Sequence, residues 1–389
     1  MTILLSTLAL FLLYLLYERI ELGRLRRSIP TVLTVTGTRG KSSVVRILAS
    51  VLRESGYKVA AKTTGSQAQF VLPDGSVQDV ARRGMPTILE QKKALRRAAK
   101  LGADYLVVEI MSIRPENHTV ESCQILKPDI VLFTNVRRDH VDAMGQTEQE
   151  IARVLRLDIP SGAKVYLPEE YEEYLDDGSQ GSQPHQLVSV SRGLSDSLLH
   201  ERPELGKVEF GENLDLVVAL ARDLKLDDET IVHGILNTSY DIGKFRMWTY
   251  MDGGKQVFVA NAFAANDPES TLRVIEKTRE LLAPRSAGMT GLLSLRPDRG
   301  DRTLQWVESL RNGMAEYFRR IYVTGDGAEV LRRRVKSVEV LSSREPERIT
   351  NHIAATMAEG EVLFGFGNIV GAGRALVEYW KEVGQGYGL

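Results

Sequence analysis

Residues 31–52 read TVLTVTGTRGKSSVVRILASVL. Val32, Leu33 and Val35 make a short apolar strand, and Val44, Leu48, Val51 and Leu52 recur at helical spacing up to Gly56, a glycine suited to a C-cap. Between them lies the small turn Gly37-Thr38-Arg39-Gly40-Lys41-Ser42-Ser43. A strand, a glycine turn and a helix in that order predict a phosphate cradle. The glycines let the backbone turn its N–H groups inward, and the helix N-terminus adds the positive end of its dipole. Lys41 would then meet the β/γ-phosphates of a nucleoside triphosphate and the Ser42 hydroxyl would ligate Mg²⁺. The common P-loop has a further glycine five residues before Gly40, where this chain has Val35. The same residues could merely begin a helix, but their position between a buried strand and an amphipathic helix favours phosphate.

The chain has 389 residues, enough for two domains of ordinary size. Its 50 basic and 51 acidic residues nearly cancel, which argues against nucleic acid as a partner. A single cysteine, Cys123, excludes a disulfide framework and fits a reducing compartment. The six histidines show no zinc spacing.

The N-terminus departs from this composition. Residues 3–17, ILLSTLALFLLYLLY, carry no charge, and Arg19, Arg24, Arg26 and Arg27 follow. Residues 1–28 are therefore expected to form an apolar helix with a basic flank, which anchors the chain in a membrane or packs on a partner. Its uncharged run is slightly short of a hydrocarbon core. No positive charge precedes the run and no small-residue cleavage site follows it, unlike a signal peptide. Arginines on its C-terminal side place the rest of the chain at the cytoplasmic face of the cell membrane.

Beyond the cradle the pattern alternates. Segments 58–62, 105–110, 130–134 and 164–167 read as buried strands, and 87–101 and 147–157 as helices, the second opened by the capping box Thr147–Glu150. The segment 176–186 is polar and rich in Gly and Ser, as in an exposed loop. Helices are expected near 212–225 and 228–237, and strands near 256–260, 289–295, 320–324 and 361–366. The fold class is α/β. Residues 29–250 would hold a mostly parallel sheet with helices on both faces, and 251–389 a smaller, Rossmann-like α/β domain.

Open α/β sheets bind ligands at the carboxyl ends of their strands, and several polar groups fall there. Glu109 lies inside the apolar run Val107-Val108-Glu109-Ile110-Met111-Ser112, where a carboxylate calls for a divalent cation or an arginine. Asn135, Asp139, His140 and Asp142 crowd within eight residues after the strand at 130–134. Lys62-Thr63-Thr64-Gly65-Ser66 offers hydroxyls for a substrate or Mg²⁺ loop, or ordinary turn chemistry. Arg296, Asp298, Arg299 and Arg302 cluster after a strand of the second half and could close over phosphates or an anionic substrate. Gly365-Phe366-Gly367-Asn368-Ile369-Val370-Gly371 fits a dinucleotide fingerprint only loosely, so close helix–strand packing or a backbone contact to substrate is expected there.

TVTGTRGKSS resembles the cradle of the Mur ligase and folylpolyglutamate synthetase superfamily, which also lacks the first glycine. TNVRRDHVDAMG is similar to that superfamily's Thr-Asn-x-x-x-Asp-His-x-Asp segment, and Glu109 stands where its metal-binding glutamate stands. LARDLKLDDETIVHGILN resembles the end of its central domain, and NAFAANDPEST the start of its C-terminal domain. Within it, the apolar N-terminus, LLSLRPDRGDR at 292–302 and LFGFGNIVGAG at 363–373 look like the ligase subunits of poly-γ-glutamate synthases, which make capsule polymer. No UDP-binding domain precedes the cradle, unlike a muropeptide ligase. Two departures stand out: IARVLRLDIPSG at 151–162 lacks the lysine usual in that helix, and Lys244 stands where Arg is usual.

The resemblance implies an ATP- and Mg²⁺-dependent ligase that activates a glutamate γ-carboxylate as an acyl phosphate and lengthens a poly-γ-glutamate chain, releasing ADP. It implies nucleotide contacts from Gly37, Thr38, Arg39, Gly40, Lys41, Ser42, Ser43, Asn135, Asp139 and Arg302. Metal ligands would be Ser42, Glu109 and His140, with Lys41, Glu109 and His140 at the chemistry. Thr63, Thr64, Arg296 and Arg299 are candidates for substrate. Other membrane subunits of a synthase complex would be partners, and a homo-oligomer stays open. The alternatives are a folylpolyglutamate-type ligase and a membrane-tethered ATPase subunit that joins no amide bond.

Overall fold

The computed structural model describes residues 2–65, 67–82, 84–175, 186–283, 288–296 and 300–387. Ser66, most of the polar loop at 176–186, Asp298 and Arg299 lie outside the described residues. The chain forms two compact units, Met1–Ser239 and Tyr240–Leu389.

The first unit opens with α1 (Thr2–Arg27), β1 (Thr31–Thr36), α2 (Lys41–Glu54), β2 (Val59–Thr63), β3 (Gln69–Val71) and β4 (Val77–Asp79). It continues through α3 (Leu89–Leu101), β5 (Tyr105–Glu109), α4 (Pro115–Thr119), β6 (Ile130–Phe133), α5 (Val141–Met144) and α6 (Glu148–Leu155). β7 (Lys164–Pro168), α7 (Glu172–Leu175), β8 (Gln186–Val190), α8 (Asp196–Glu201), α9 (Glu204–Val208), α10 (Gly211–Asp223) and α11 (Asp228–Leu236) complete it. The sheet order is β4-β3-β2-β5-β1-β6-β7-β8, parallel except for β3 and β4.

Alternation along the strands divides the core. Val32, Ala60, Leu106 and Val108 pack with Ala94, Leu95 and Ala98 of α3, while α2 lies against β1, β2 and β5 with α10 and α11 packed on it. The capping box opens α6 as expected, and Gly102 ends α3 in the left-handed region at φ 61°.

In the first half of α1 the apolar side chains are exposed, from Ile3 to Tyr17. Its second half is clamped to the unit. Glu18 meets Lys92 at 2.6 Å, Glu21 meets Arg96 at 2.7 Å, and Arg26 pairs with Asp129 while donating to Lys127 O at 2.9 Å and Ile29 O at 3.0 Å. By length and composition α1 suffices to cross a membrane.

The second unit contains β9 (Arg246–Asp252), β10 (Lys255–Ala262), α12 (Pro268–Leu282), β11 (Met289–Ser294), α13 (Gly300–Arg311) and β12 (Arg320–Thr324). α14 (Ala328–Arg334), β13 (Val338–Val340), α15 (Pro346–Thr356), β14 (Val362–Gly367), α16 (Arg374–Val383) and β15 (Gln385–Tyr387) follow. Its sheet runs β13-β12-β11-β14-β10-β9-β15, with β9 antiparallel to both its neighbours. Residues 246–250, on the first-domain side of the expected boundary at 250, thus pair with β10 in the second sheet. Gly365 lies directly against the Phe263 and Trp380 rings, which accounts for that glycine by packing.

Candidate functional site

β1 lies between β5 and β6, and the register sets Val35 opposite Glu109 and Thr36 opposite Phe133. The chain crosses from one side of β1 to the other between β5 and β6, so the carboxyl ends of these three strands frame a crevice at a switch point. The turn at 37–40 enters it. Gly37 has φ 119° and Gly40 φ 81°. A Cβ at Gly37 would stand 2.2 Å from Thr134 Oγ1, and one at Gly40 2.4 Å from Asn213 Oδ1, so both conformation and space require glycine. Among the described residues no side chain caps α2, which leaves its first-turn amides for an anion.

Asn135 holds this turn in place. Its Oδ1 accepts from Thr38 Oγ1 at 2.7 Å and from Arg39 N at 3.0 Å, its Nδ2 donates to Arg39 O at 3.2 Å, and its carbonyl accepts from Thr38 N. Asp139 pairs with Arg39 at 3.2 Å and accepts from His140 N at 2.8 Å. His140 itself takes a left-handed conformation at φ 46°. Ser43 sits partly buried in the first turn of α2.

Lys41 donates to Gly37 O at 2.6 Å and to Thr38 O at 3.3 Å, so its ammonium folds onto the turn. Burial pulls this ammonium below its ordinary pKa, against the opposing pull of Glu109 and Asp139. Glu109 is 4% exposed, and its Oε2 accepts from Ser42 Oγ at 2.7 Å, Thr64 N at 2.6 Å and Gly65 N at 3.3 Å. A hydroxyl and two amides, rather than an arginine, meet this carboxylate. The Thr63 hydroxyl turns away to accept from Arg46.

Lys41, Thr64, Glu109, Asp139 and His140 line one cavity of about 150 Å³. Among the described residues no three His, Cys, Asp or Glu converge as a metal cage. A Ser42 hydroxyl beside the Glu109 carboxylate nevertheless suits Mg²⁺, which takes one or two protein oxygens and completes its shell with phosphate and water. Arg296 and Arg302 belong to the second unit, where Arg302 is buried on α13 and donates to Gln305 Oε1 at 3.1 Å.

Sequence reading missed three contributors. Glu121 fixes the residues after Glu109 by accepting from Met111 N at 3.0 Å and Ser112 N at 2.9 Å, and burial pushes its carboxyl above the usual range. Asn213 reaches Gly40 from α10, and His118 joins the cavity wall from α4. None of the three stands in a local motif.

A family model for the Mur ligase middle domain matches residues 35–159. One for the poly-gamma-glutamate synthase CapB C-terminal domain matches residues 247–383. The chain belongs to the Mur ligase and folylpolyglutamate synthetase superfamily. These are ATP-dependent ligases, so the chain is an enzyme of that class. It is 32% identical to the capsule biosynthesis protein CapB of Bacillus anthracis over 286 residues, which span 73% of this chain and 61% of that protein. It is 28% identical to the PGA synthase CapB of Bacillus subtilis over 367 residues, 91% of each. In fold it is similar to E. coli FolC in complex with ADP, with a TM-score of 0.65 at 16% identity over 97% of each chain.

Proposed function

We propose that this member of the superfamily joins glutamate into poly-γ-glutamate, activating a γ-carboxylate with ATP and releasing ADP. The observation that carries the reading is the uncapped start of α2, with Lys41 and the Ser42–Glu109 pair beside one cavity. The CapB relatives support the choice of glutamate polymer as substrate. A free carboxylate is a poor electrophile at neutral pH. Transfer of the γ-phosphoryl group makes it an acyl phosphate, and the amine of a second glutamate then displaces phosphate to form the amide.

Each residue has a part in this scheme. The first-turn amides of α2 and the turn at 37–40 hold the phosphates, and Lys41 swings from the Gly37 and Thr38 carbonyls onto the transferring oxygens. Asn135 and the Arg39–Asp139 pair keep the turn in shape on the nucleotide side. Ser42, Glu109 and His140 would hold Mg²⁺, which when bound neutralises phosphate charge. Thr64 faces the cavity for substrate, and Arg296 and Arg302 of the second unit are the groups suited to an anionic substrate or phosphate.

The exposed apolar half of α1 supports a membrane anchor, with Arg24, Arg26 and Arg27 on the cytoplasmic side and further membrane subunits as partners. The test is ADP release by purified protein, assayed across amino acids, with and without folate. Glutamate-dependent release that folate does not raise and Lys41→Ala abolishes is the expected result. Release stimulated only by folate would make this a folylpolyglutamate-type ligase. Release indifferent to glutamate would leave an ATPase subunit.

A further inference from the structure

His118 has no task in the scheme above, yet it forms part of the wall of the same cavity as Lys41, Glu109, Asp139 and His140. It is 1% exposed, and its Nδ1 lies 2.8 Å from Asp158 Oδ1. Asp158, fully buried, also accepts from the hydroxyl of Thr36, the last residue of β1 before the cradle turn. A carboxylate so placed accepts, so the ring carries its hydrogen on Nδ1 and presents a lone pair at Nε2. Among the described residues nothing hydrogen-bonds to that nitrogen, although it is buried. Buried polar atoms are rarely left so unless a water, an ion or a ligand completes them. Leu155, at the end of α6, adds an apolar wall to the cavity, so nothing on that residue competes for an incoming donor.

We propose that His118 accepts the proton of the amine that attacks the acyl phosphate. This rests on the ligase reading. The amine nitrogen forms the C–N bond, the bond from acyl carbon to phosphate oxygen breaks, and phosphate leaves with the electron pair. The N–H proton passes to His118 Nε2, and the imidazolium so formed stays paired with Asp158 through Nδ1. The arrangement is a base held by a third group, as hydrolase triads hold theirs. Asp158 is a positioning residue here, since it acts only through the ring.

Hydroxylamine separates the two half-reactions because it is already unprotonated at neutral pH and traps acyl phosphates without a base. With His118→Gln, amide formation from glutamate should fall about a hundredfold or more, while hydroxamate release from ATP and glutamate stays near that of the unsubstituted chain. Asp158→Asn should shift the same ratio in the same direction, by less. Hydroxamate release also reports that the variant is folded and makes the intermediate. Equal loss of both products, or amide synthesis kept by His118→Gln, overturns the assignment of His118. An unsubstituted chain that yields no hydroxamate overturns the ligase reading itself, and this inference with it.

Discussion

Two of the helices that follow the carboxyl ends of buried strands complete their first turns in opposite ways. After β10, α12 is finished from within: the Asp267 side chain accepts from Ser270 N at 2.9 Å, and Pro268 takes the first position, where it has no N–H to satisfy. After β1, α2 begins at Gly40 with no side-chain cap and with an ammonium group folded over the turn. The two joints are built alike and belong to sheets of the same class. What sets the start of α2 apart from that of α12 is the missing cap, together with a lysine that, among the described residues, donates to the carbonyls of Gly37 and Thr38.

The largest break in this comparison is expected from Lys41→Ala, which should lower glutamate-dependent ADP release by on the order of 10²–10³ or more, measured by coupled assay. Gly40→Ala comes next. A Cβ there meets Asn213 and a left-handed backbone, at a cost of about 1–3 kcal/mol, read as a lower unfolding midpoint together with weaker Mg-ADP binding in calorimetry. Asp267→Ala should cost about 1 kcal/mol in denaturant unfolding and leave Mg-ADP affinity unchanged; an affinity loss would mean that the two helix starts are not independent. Smallest of all, Glu269→Ala removes an exposed pair with Arg273 two residues into α12, and should change stability by about 0.5 kcal/mol or less.

The cradle was legible because strand, glycines and helix are adjacent in sequence and each has its own period. The parallel strands β1, β2, β5, β6 and β7 were legible for the same reason, as short apolar runs buried on both faces. β3, β4, β13 and β15 are three residues each, too short to show alternation. β9 is longer, and its turn through Gly253-Gly254 into β10 is a hairpin signal that went unread. In the site, Glu109 announced itself as a carboxylate in an apolar run, but its partners are amides of Thr64 and Gly65, which no side-chain pattern reveals. His118 and Asp158 stand forty positions apart and meet only because α4 packs beside the turn that follows α6.

The clamp on α1 has a mechanical meaning. Ion pairs from Glu18 and Glu21 to α3, and from Arg26 to Asp129, make the helix a stiff stalk of the first unit rather than a leash. Were its apolar half seated in a bilayer, the crevice at the end of β1 would be carried at a constant height and tilt above the lipid surface. Whatever leaves the crevice would then always leave from the same spot above that surface.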